Sequence, residues 1–436
     1  MLLRHPWIPV DIYAAHYAAQ FTPQLFIPPQ QTLLRFFVAS PLMPPPLQAR
    51  VIGAGPTGSL AALALADAGW TVSLEDPLRP DQLTARRRAY AFTQSSRRLL
   101  ENLGLWEGVE PLLVPFHSLR LLDAALQRGL TFLPDDLPQP STSGSVAPIG
   151  WIGRHAPLME HLLETLVRHP AITLQLGETA SSAASTHPQL VVAADGPASA
   201  TRTALGIGSW GWDYRQQCLT AEVELRGSEP NQAWELLRPE GPFAVLPLGN
   251  GLTQLVWSAP ASRCRQLESL PPAAFLDSLT AVLPDPLEAD ALRDQPRGFP
   301  VGLRLARRLS SGKTVLVGES AHRCHPVGGQ GLNLCWRDVA VLHRLASRAA
   351  TGSMAPHRIA AAYGRRRWPD LVLVLLATDL LVRLHSNRHP LLLPLRHSAL
   401  ALLAAARPLR RLVLGVMTDG LPRLRPRQSL ARLTPW

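Results

Sequence analysis

The run Val51-Ile52-Gly53-Ala54-Gly55-Pro56-Thr57-Gly58 constrains this chain more than any other eight residues. A G-x-G-x-x-G spacing is weak evidence alone, but its flanks make it selective. Leu47–Ile52 reads as a strand, Ser59–Ala68 is Ala/Leu-rich and helical, and Gly69 suits a C-cap. A second strand, Thr71-Val72-Ser73-Leu74, ends on Glu75, an acid about 20 positions beyond the glycines and suited to accept a ribose hydroxyl. This order predicts a βαβ unit whose backbone approaches a pyrophosphate at the positive end of a helix, and an α/β fold.

A second glycine loop lies far downstream, in GESAHRCHPVGGQGLNLCWRDVAVL, Gly318–Leu342. It follows an apolar run, Thr314-Val315-Leu316-Val317, that reads as a buried strand. Gly318 opens a tight loop; Pro326, Gly328, Gly329 and Gly331 keep the next residues from being helical or bulky, and helical character begins at Leu332. Backbone N–H groups there can face an anionic or electron-rich ligand, and the two loops together predict a flavin site. His322 and His325 form H-x-x-H, but no third ligand lies at a helpful spacing, so the expectation is no metal.

Six blocks then occur in one order: VIGAGPTG with Glu75; Arg88-Ala89-Tyr90-Ala91; Gly153-Arg154 with Leu158, Leu162 and Leu163; Asp195-Gly196 through Ser199 to Arg202; GPFAVLPLGNGLTQLVW at 241–257; and the second loop. In them the chain resembles the class A flavoprotein monooxygenases over roughly residues 48 to 420, most closely the aromatic hydroxylases of ubiquinone biosynthesis. The resemblance implies an FAD-binding Rossmann-like domain of the glutathione-reductase type, interleaved with an antiparallel-sheet substrate domain and followed by C-terminal helices. It implies Gly53, Gly55 and Gly58 at the FAD pyrophosphate and Glu75 at the adenosine ribose. Arg88 and Arg154 would turn positive charge toward the phosphates and flavin edge, with Asp195 and Gly196 near the pyrophosphate from the other side. Gly329, Gln330, Gly331 and Asn333 would line the pyrimidine side of the flavin, and Pro326 its ring face. Glu319 departs from the family's Asp at the ribityl chain, keeping the carboxylate with one more methylene. With one nucleotide fold taken by FAD, NAD(P)H would bind transiently. The cofactor would carry the chemistry, so no catalytic side-chain constellation is expected.

Charge and organisation refine this picture. The net charge is +11, and Lys313 is the only lysine. Beyond Asp379 arginines outnumber acids heavily, between apolar stretches Leu391–Leu395 and Leu400–Ala406 that are too short to span a bilayer. A basic amphipathic region touching anionic lipid, suited to a polyprenyl substrate, and Arg-rich helices packed on the FAD domain are both open readings. No nucleic-acid-binding motif accompanies the charge. Four cysteines without a C-x-x-C pair fit a reducing cytoplasm, and the lipid-contact reading of the C-terminal region would place the protein at the inner membrane surface; Cys324 would lie near the flavin as loop filler. Residues 1–46 read as a disordered or mis-annotated extension, with Met43 as an alternative start. Residues 47–210 read as the first part of the FAD domain, with a substrate-domain insertion around 110–150 and a Pro/Ser/Gly-rich linker over 134–148. Residues 211–300 read as the substrate domain, where Tyr214, Gln216 and Trp257 are candidates for the pocket wall; 301–350 as the second part of the FAD domain; and 351–436 as basic C-terminal helices.

The expected function is NAD(P)H- and O2-dependent hydroxylation of a hydrophobic aromatic ring, a polyprenylated phenol of quinone biosynthesis, within a biosynthetic complex or alone. A prenyl reductase of the geranylgeranyl type and a flavin-binding accessory subunit without turnover are the alternatives.

Overall fold

The computed structural model describes residues 47–138, 147–177, 187–387 and 389–420. The expectations for residues 1–46, for most of the Pro/Ser/Gly-rich linker and for the last arginines fall outside these residues.

The strand Gln48–Ile52 lies between Thr71–Asp76 and Leu190–Ala193, parallel to both, and Thr314–Leu316 and Ile172–Leu176 extend the sheet in parallel on either side. Val51, Val72, Leu74, Val192, Val315 and Leu316 are buried, as expected of a sheet covered on both faces. The helix Pro56–Asp67 crosses from the first strand to the second, and Gly69, at φ 85°, ends it. This helix packs beside Gln330–Ala350, and indole N–H groups from Trp70 and Trp336 bond the carbonyls of Ala346 and Pro56 to lock the pair.

The second sheet has nine strands, with Ser209–Arg226 as its spine. Leu219, Ala221, Trp234, Leu236, Val245, Leu255 and Trp257 from one face form a core with Cys264, Leu267, Phe275 and Leu279 of the helices Ala261–Glu268 and Pro272–Thr280. Ser118–Asp123 and Arg128–Phe132, from much earlier in the chain, join this sheet beside Gln232–Leu237. At the other edge His322–Arg323 pairs with Arg297–Ala306, which ties the downstream glycine loop directly to the sheet. A small third sheet sets Ala89–Phe92 and Leu113–Phe116 on either side of Gly150–Arg154. The described residues thus form an α/β half on a parallel sheet, interleaved with a mixed sheet that is antiparallel except where Gln232–Leu237 runs parallel to Ser118–Asp123, followed by the helices Ile359–His385, Leu393–Ala405 and Arg407–Asp419.

Two expectations change. The downstream helix starts at Gln330, so Gly331 is already helical. Left-handed Gly329 (φ 62°) is the N-cap that makes the turn, and nothing after it blocks the helix. The C-terminal arginines are also less available than their number suggests. Arg367 and Arg396 are buried, while Arg383, Arg407 and Arg410 pair with Asp379, Asp135 and Asp136. No helix among the described residues is long and apolar enough to cross a membrane.

Candidate functional site

The first glycine loop sits where the parallel strands end. A Cβ on Gly53 would meet the Ala194 carbonyl oxygen at 2.4 Å, and one on Gly58 the Gly53 oxygen at 1.7 Å, so packing within the protein requires both glycines. Around Gly55 nothing lies within 4 Å of the added atom. Gly55 is also the N-cap of Pro56–Asp67, and no side chain caps that helix. Its positive end therefore opens onto free space, as an anion site requires.

The acids around this loop are arranged differently from expectation. Glu75 is buried and held by Arg50 through a two-pronged pair of 2.5 and 2.7 Å. The neighbouring Asp76, which sequence reasoning passed over, reaches the loop itself and accepts the N–H groups of Ala54 (2.7 Å) and Leu78 (2.8 Å). Asp195 accepts from the Ser199 hydroxyl (2.5 Å) and the Thr201 N–H (2.9 Å), so it is committed to the start of the short helix Ala200–Ala204. Ser199 caps the Arg202 N–H, and Arg202 donates to the Ser320 carbonyl at 2.8 Å, fastening this turn to the second loop. Gly196 (φ 80°) borders open space.

Ala89 lies opposite Arg154 in the small sheet, so the R-A-Y-A and G-R blocks share one wall. Arg88 Nε donates to the Tyr90 hydroxyl (2.8 Å), which donates to His155 Nδ1 (2.7 Å); His155 Nε2 donates to the Leu83 carbonyl (2.7 Å). The carbonyl can only accept, which fixes the imidazole tautomer. Burial, with the charges of Arg88 and Arg86, holds His155 down to about 4, so it stays neutral. Burial would lower Arg88, but Tyr90 and Glu319 outweigh it and the guanidinium is raised overall. Glu319, on the turn Gly318–Ser320, is thus an electrostatic neighbour of Arg88. Arg154 pairs with Glu222 of the strand Ser209–Arg226 at 3.2 and 3.3 Å and remains 40% exposed.

The second loop is held from beneath by a buried ionic chain. Asp338 Oδ2 accepts the Gly318 N–H (2.8 Å) and lies 2.7 Å from His322 Nε2, while Oδ1 accepts from Arg367 at 2.6 Å. Burial would raise Asp338, but His322 and Arg367 bring it down to about 2. Arg367 continues to Asp370 (2.5 Å), Asp370 to Arg337 (3.1 Å), and Arg337 to Gln330 Oε1 (3.3 Å). Gln330 Nε2 returns to the Gly328 carbonyl at 3.0 Å. Asn333 accepts from the Thr93 N–H, the Thr93 hydroxyl and the Ser96 hydroxyl, and donates to Ala91 and Gly329 carbonyls. The protein thus uses the polar side-chain groups of Gln330 and Asn333 to hold the loop. What remains open is backbone. Gly331 borders free space, and Gly329 presses against Ala91, where an added Cβ would come within 2.7 Å.

Beside the loop stand His325, Tyr214 and Glu235, of which only Glu235 carries no expectation from the sequence. His325 is fully buried beside part-buried Pro326; its Nδ1 accepts the Val327 N–H (3.2 Å), and Nε2 has no partner among the described residues. Its ring meets Tyr214 edge-on at 5.3 Å. Glu235, from the substrate sheet, accepts the Gly328 N–H at 3.2 Å.

Two uncapped helix N-termini with glycine ground before them, and the half-buried Arg88 near Glu319 of the second loop, fit a long cofactor with a pyrophosphate at one end and a ring that gains negative charge on reduction at the other. That defines an FAD-dependent flavoprotein of the aromatic monooxygenase class. An FAD binding domain family matches residues 47–129 and 170–371, and the chain belongs to that family. A ubiquinone hydroxylase, UbiL, of Rhodospirillum rubrum is 32% identical over 77% of this chain and 81% of its own length. The 3-demethoxyubiquinol 3-hydroxylase of Escherichia coli is 28% identical over 83% and 95%. Among solved structures, p-nitrophenol 4-monooxygenase PnpA of Pseudomonas putida shares the fold at TM-score 0.66 and 17% identity, over 85% of this chain and 96% of that one.

Proposed function

We propose that this protein uses NAD(P)H and O2 to hydroxylate a hydrophobic aromatic ring, a polyprenylated phenol of ubiquinone-type quinone biosynthesis. The observation that carries the reading is the pair of open helix N-termini bordering Gly55 and Gly331, considered with relatives named as ubiquinone hydroxylases. Gly55 and Gly58 bring backbone N–H groups to the FAD pyrophosphate, Gly53 makes the turn beneath it with its own N–H held by the Glu75 carbonyl at 2.7 Å, and Gly196 leaves room beside it. Glu75, fixed by Arg50, takes the adenosine ribose, while Asp195 acts by shaping the adjoining turn. Arg88 and Glu319 face the ribityl and flavin edge, and Arg154 closes the wall on that side. Gly331 presents its N–H to the flavin pyrimidine beside the left-handed turn at Gly329, whose N–H bonds the Pro326 carbonyl at 3.0 Å; Gln330 and Asn333 hold this backbone in place, and Pro326 covers the ring face. Bound FAD supplies the redox chemistry, passing electrons from nicotinamide to oxygen; the protein binds, orients and excludes water.

On this reading residues 47–210 and 301–350 form the cofactor domain, with 211–300 and the insertion around 110–150 covering the substrate. The enzyme works in the cytoplasm, alone or in a biosynthetic complex, against the inner membrane surface. A stripe of the helix Ile359–His385 supports membrane contact: Leu376 and Leu380 are 57% and 64% exposed. Trp212 and Trp210 flank the stripe, the first bonded to Asp379 under Arg383 and the second edge-on to Trp368. Leucine, tryptophan and arginine together suit a lipid interface.

The test is turnover. With a prenylated phenol, NADH or NADPH should bleach the flavin without air, and oxygen uptake should match hydroxylated product in air. Saturation of a prenyl double bond without oxygen uptake would replace this reading with the reductase one, and a flavin that no nicotinamide reduces would replace it with the accessory one.

A further inference from the structure

Gln232–Leu237 contains one ionisable residue, Glu235, in a strand that is buried throughout. Side chains alternate across a strand, so Trp234 and Leu236 enter the core under the helices while Glu235 faces the other way. Its cross-strand neighbours are Ala244 and, beyond that, Val256, both small or apolar. The carboxyl group is thus set on an apolar floor and turned toward the cofactor loop, where it accepts the Gly328 N–H through Oε2 at 3.2 Å. No other hydrogen bond engages it among the described residues. A lone carboxyl in an apolar wall, bonded to the residue two positions after Pro326, is costly to bury, which makes it a candidate for chemistry rather than packing.

We propose that Glu235 is the general base of the site, taking the proton from the substrate's phenolic hydroxyl so that the ring is activated for oxygen transfer. The proposal rests on the hydroxylase reading above. The phenolic O–H bond breaks, an O–H bond forms on Glu235, and the electron pair left on the phenolic oxygen is shared with the ring, enriching its ortho and para carbons. Over the turnover one atom of O2 enters a ring C–H bond and the other leaves as water. Nicotinamide supplies two electrons and one hydrogen as hydride, solvent supplies the second proton that the water needs, and the proton on Glu235 returns to the product's phenolic oxygen.

Burial pushes Glu235 up to about 7, where a base exchanges protons near neutrality. The surrounding groups do not compete. From the loop, burial holds His325 at about 3 and Cys324 at about 12. From the spine strand, burial raises Cys218 to about 12, and burial with Asp379 raises Tyr214 above its ordinary value. Asp123, at the far end of the adjoining strand, is bonded to His385 and stays ionised. Glu319 is an electrostatic neighbour of Arg88.

Glu235→Gln keeps an acceptor for the Gly328 N–H and nearly the same volume but cannot hold the proton. Hydroxylation of the prenylated phenol should fall by about 10²- to 10⁴-fold with flavin content preserved, and the rise of kcat/KM near pH 7 should vanish. Glu235→Asp should keep that rise at a reduced rate. A Gln variant that hydroxylates at the wild-type rate with the wild-type pH profile overturns the proposal. So does a Gln variant without flavin beside an Asp variant that binds flavin and shows no rise near pH 7, because the role is then structural. A wild-type protein that hydroxylates no phenol defeats the functional reading itself, and Glu235's role with it; that result is read before any variant is made.

Discussion

Asn333 uses its entire amide inside the protein, accepting three hydrogen bonds and donating two, to hold a loop whose exposed surface is glycine backbone. The division of labour recurs at Gln330 and His155: polar side chains position, and backbone or a freed guanidinium faces outward. Sequence reading finds Gly53 and Gly58 because a glycine requirement is a local steric fact. At Asn333, Gln330 and Asp195 it cannot tell a side chain that meets a ligand from one that supports what does. Glu235 was within reach: a lone acid in Gln-Ala-Trp-Glu-Leu-Leu breaks a strand pattern, though only the fold shows that it faces Gly328. His325 and His155, held neutral at about 3 and about 4 by burial, carry a pH signature. Unfolding frees both imidazoles to protonate near their ordinary value, so stability is full above about pH 6.5 and falls as pH drops toward the folded values. Each contributes a slope of up to about 1.4 kcal/mol per pH unit. Melting temperatures measured from pH 7.5 to 5 should fall for the wild type and fall less steeply for His325→Phe; parallel curves would show that His325 is not buried neutral.

At the scale of elements, the second loop depends on a helix more than 30 residues away. Strand, glycine turn and helix were legible around both loops because apolar periodicity and glycine spacing are local. The clamp from His322 through Asp338, Arg367, Asp370 and Arg337 to Gln330 was not, since Arg367 reads as one more arginine in an Arg-rich region. Its burial, with bonds to Asp338 at 2.6 Å and Asp370 at 2.5 Å, makes it the keystone between Ile359–His385 and the loop. Removing one partner of a buried ion pair leaves uncompensated charge and costs about 3–5 kcal/mol. Arg367→Met should therefore destabilise the protein by that order in denaturant unfolding and lower its flavin content. A variant as stable and as yellow as the wild type would contradict the clamp.

Across the whole molecule, the interleaving of the two sheets follows from long-range pairings such as Gln232–Leu237 with Ser118–Asp123, which no local pattern announces. Family resemblance supplied the architecture; the residues alone supplied only its pieces. The C-terminal region likewise proved mixed: Arg383, Arg407 and Arg410 are bound to aspartates, while Leu376 and Leu380 on the helix Ile359–His385 remain exposed. If that face meets lipid, Leu376→Ser with Leu380→Ser should weaken binding to anionic phospholipid vesicles by about tenfold or more in co-sedimentation, each leucine contributing about 1–2 kcal/mol of burial. Equal binding would place the lipid contact elsewhere. The central claim, that this flavoprotein puts oxygen into an aromatic ring, is tested most directly by turnover under 18O2 with NADPH and a prenylated phenol, followed by mass spectrometry of the product. The account predicts a single 18O atom in the ring hydroxyl, in step with NADPH consumed. A product without the label, or NADPH consumed only to peroxide with every phenol offered, would contradict it.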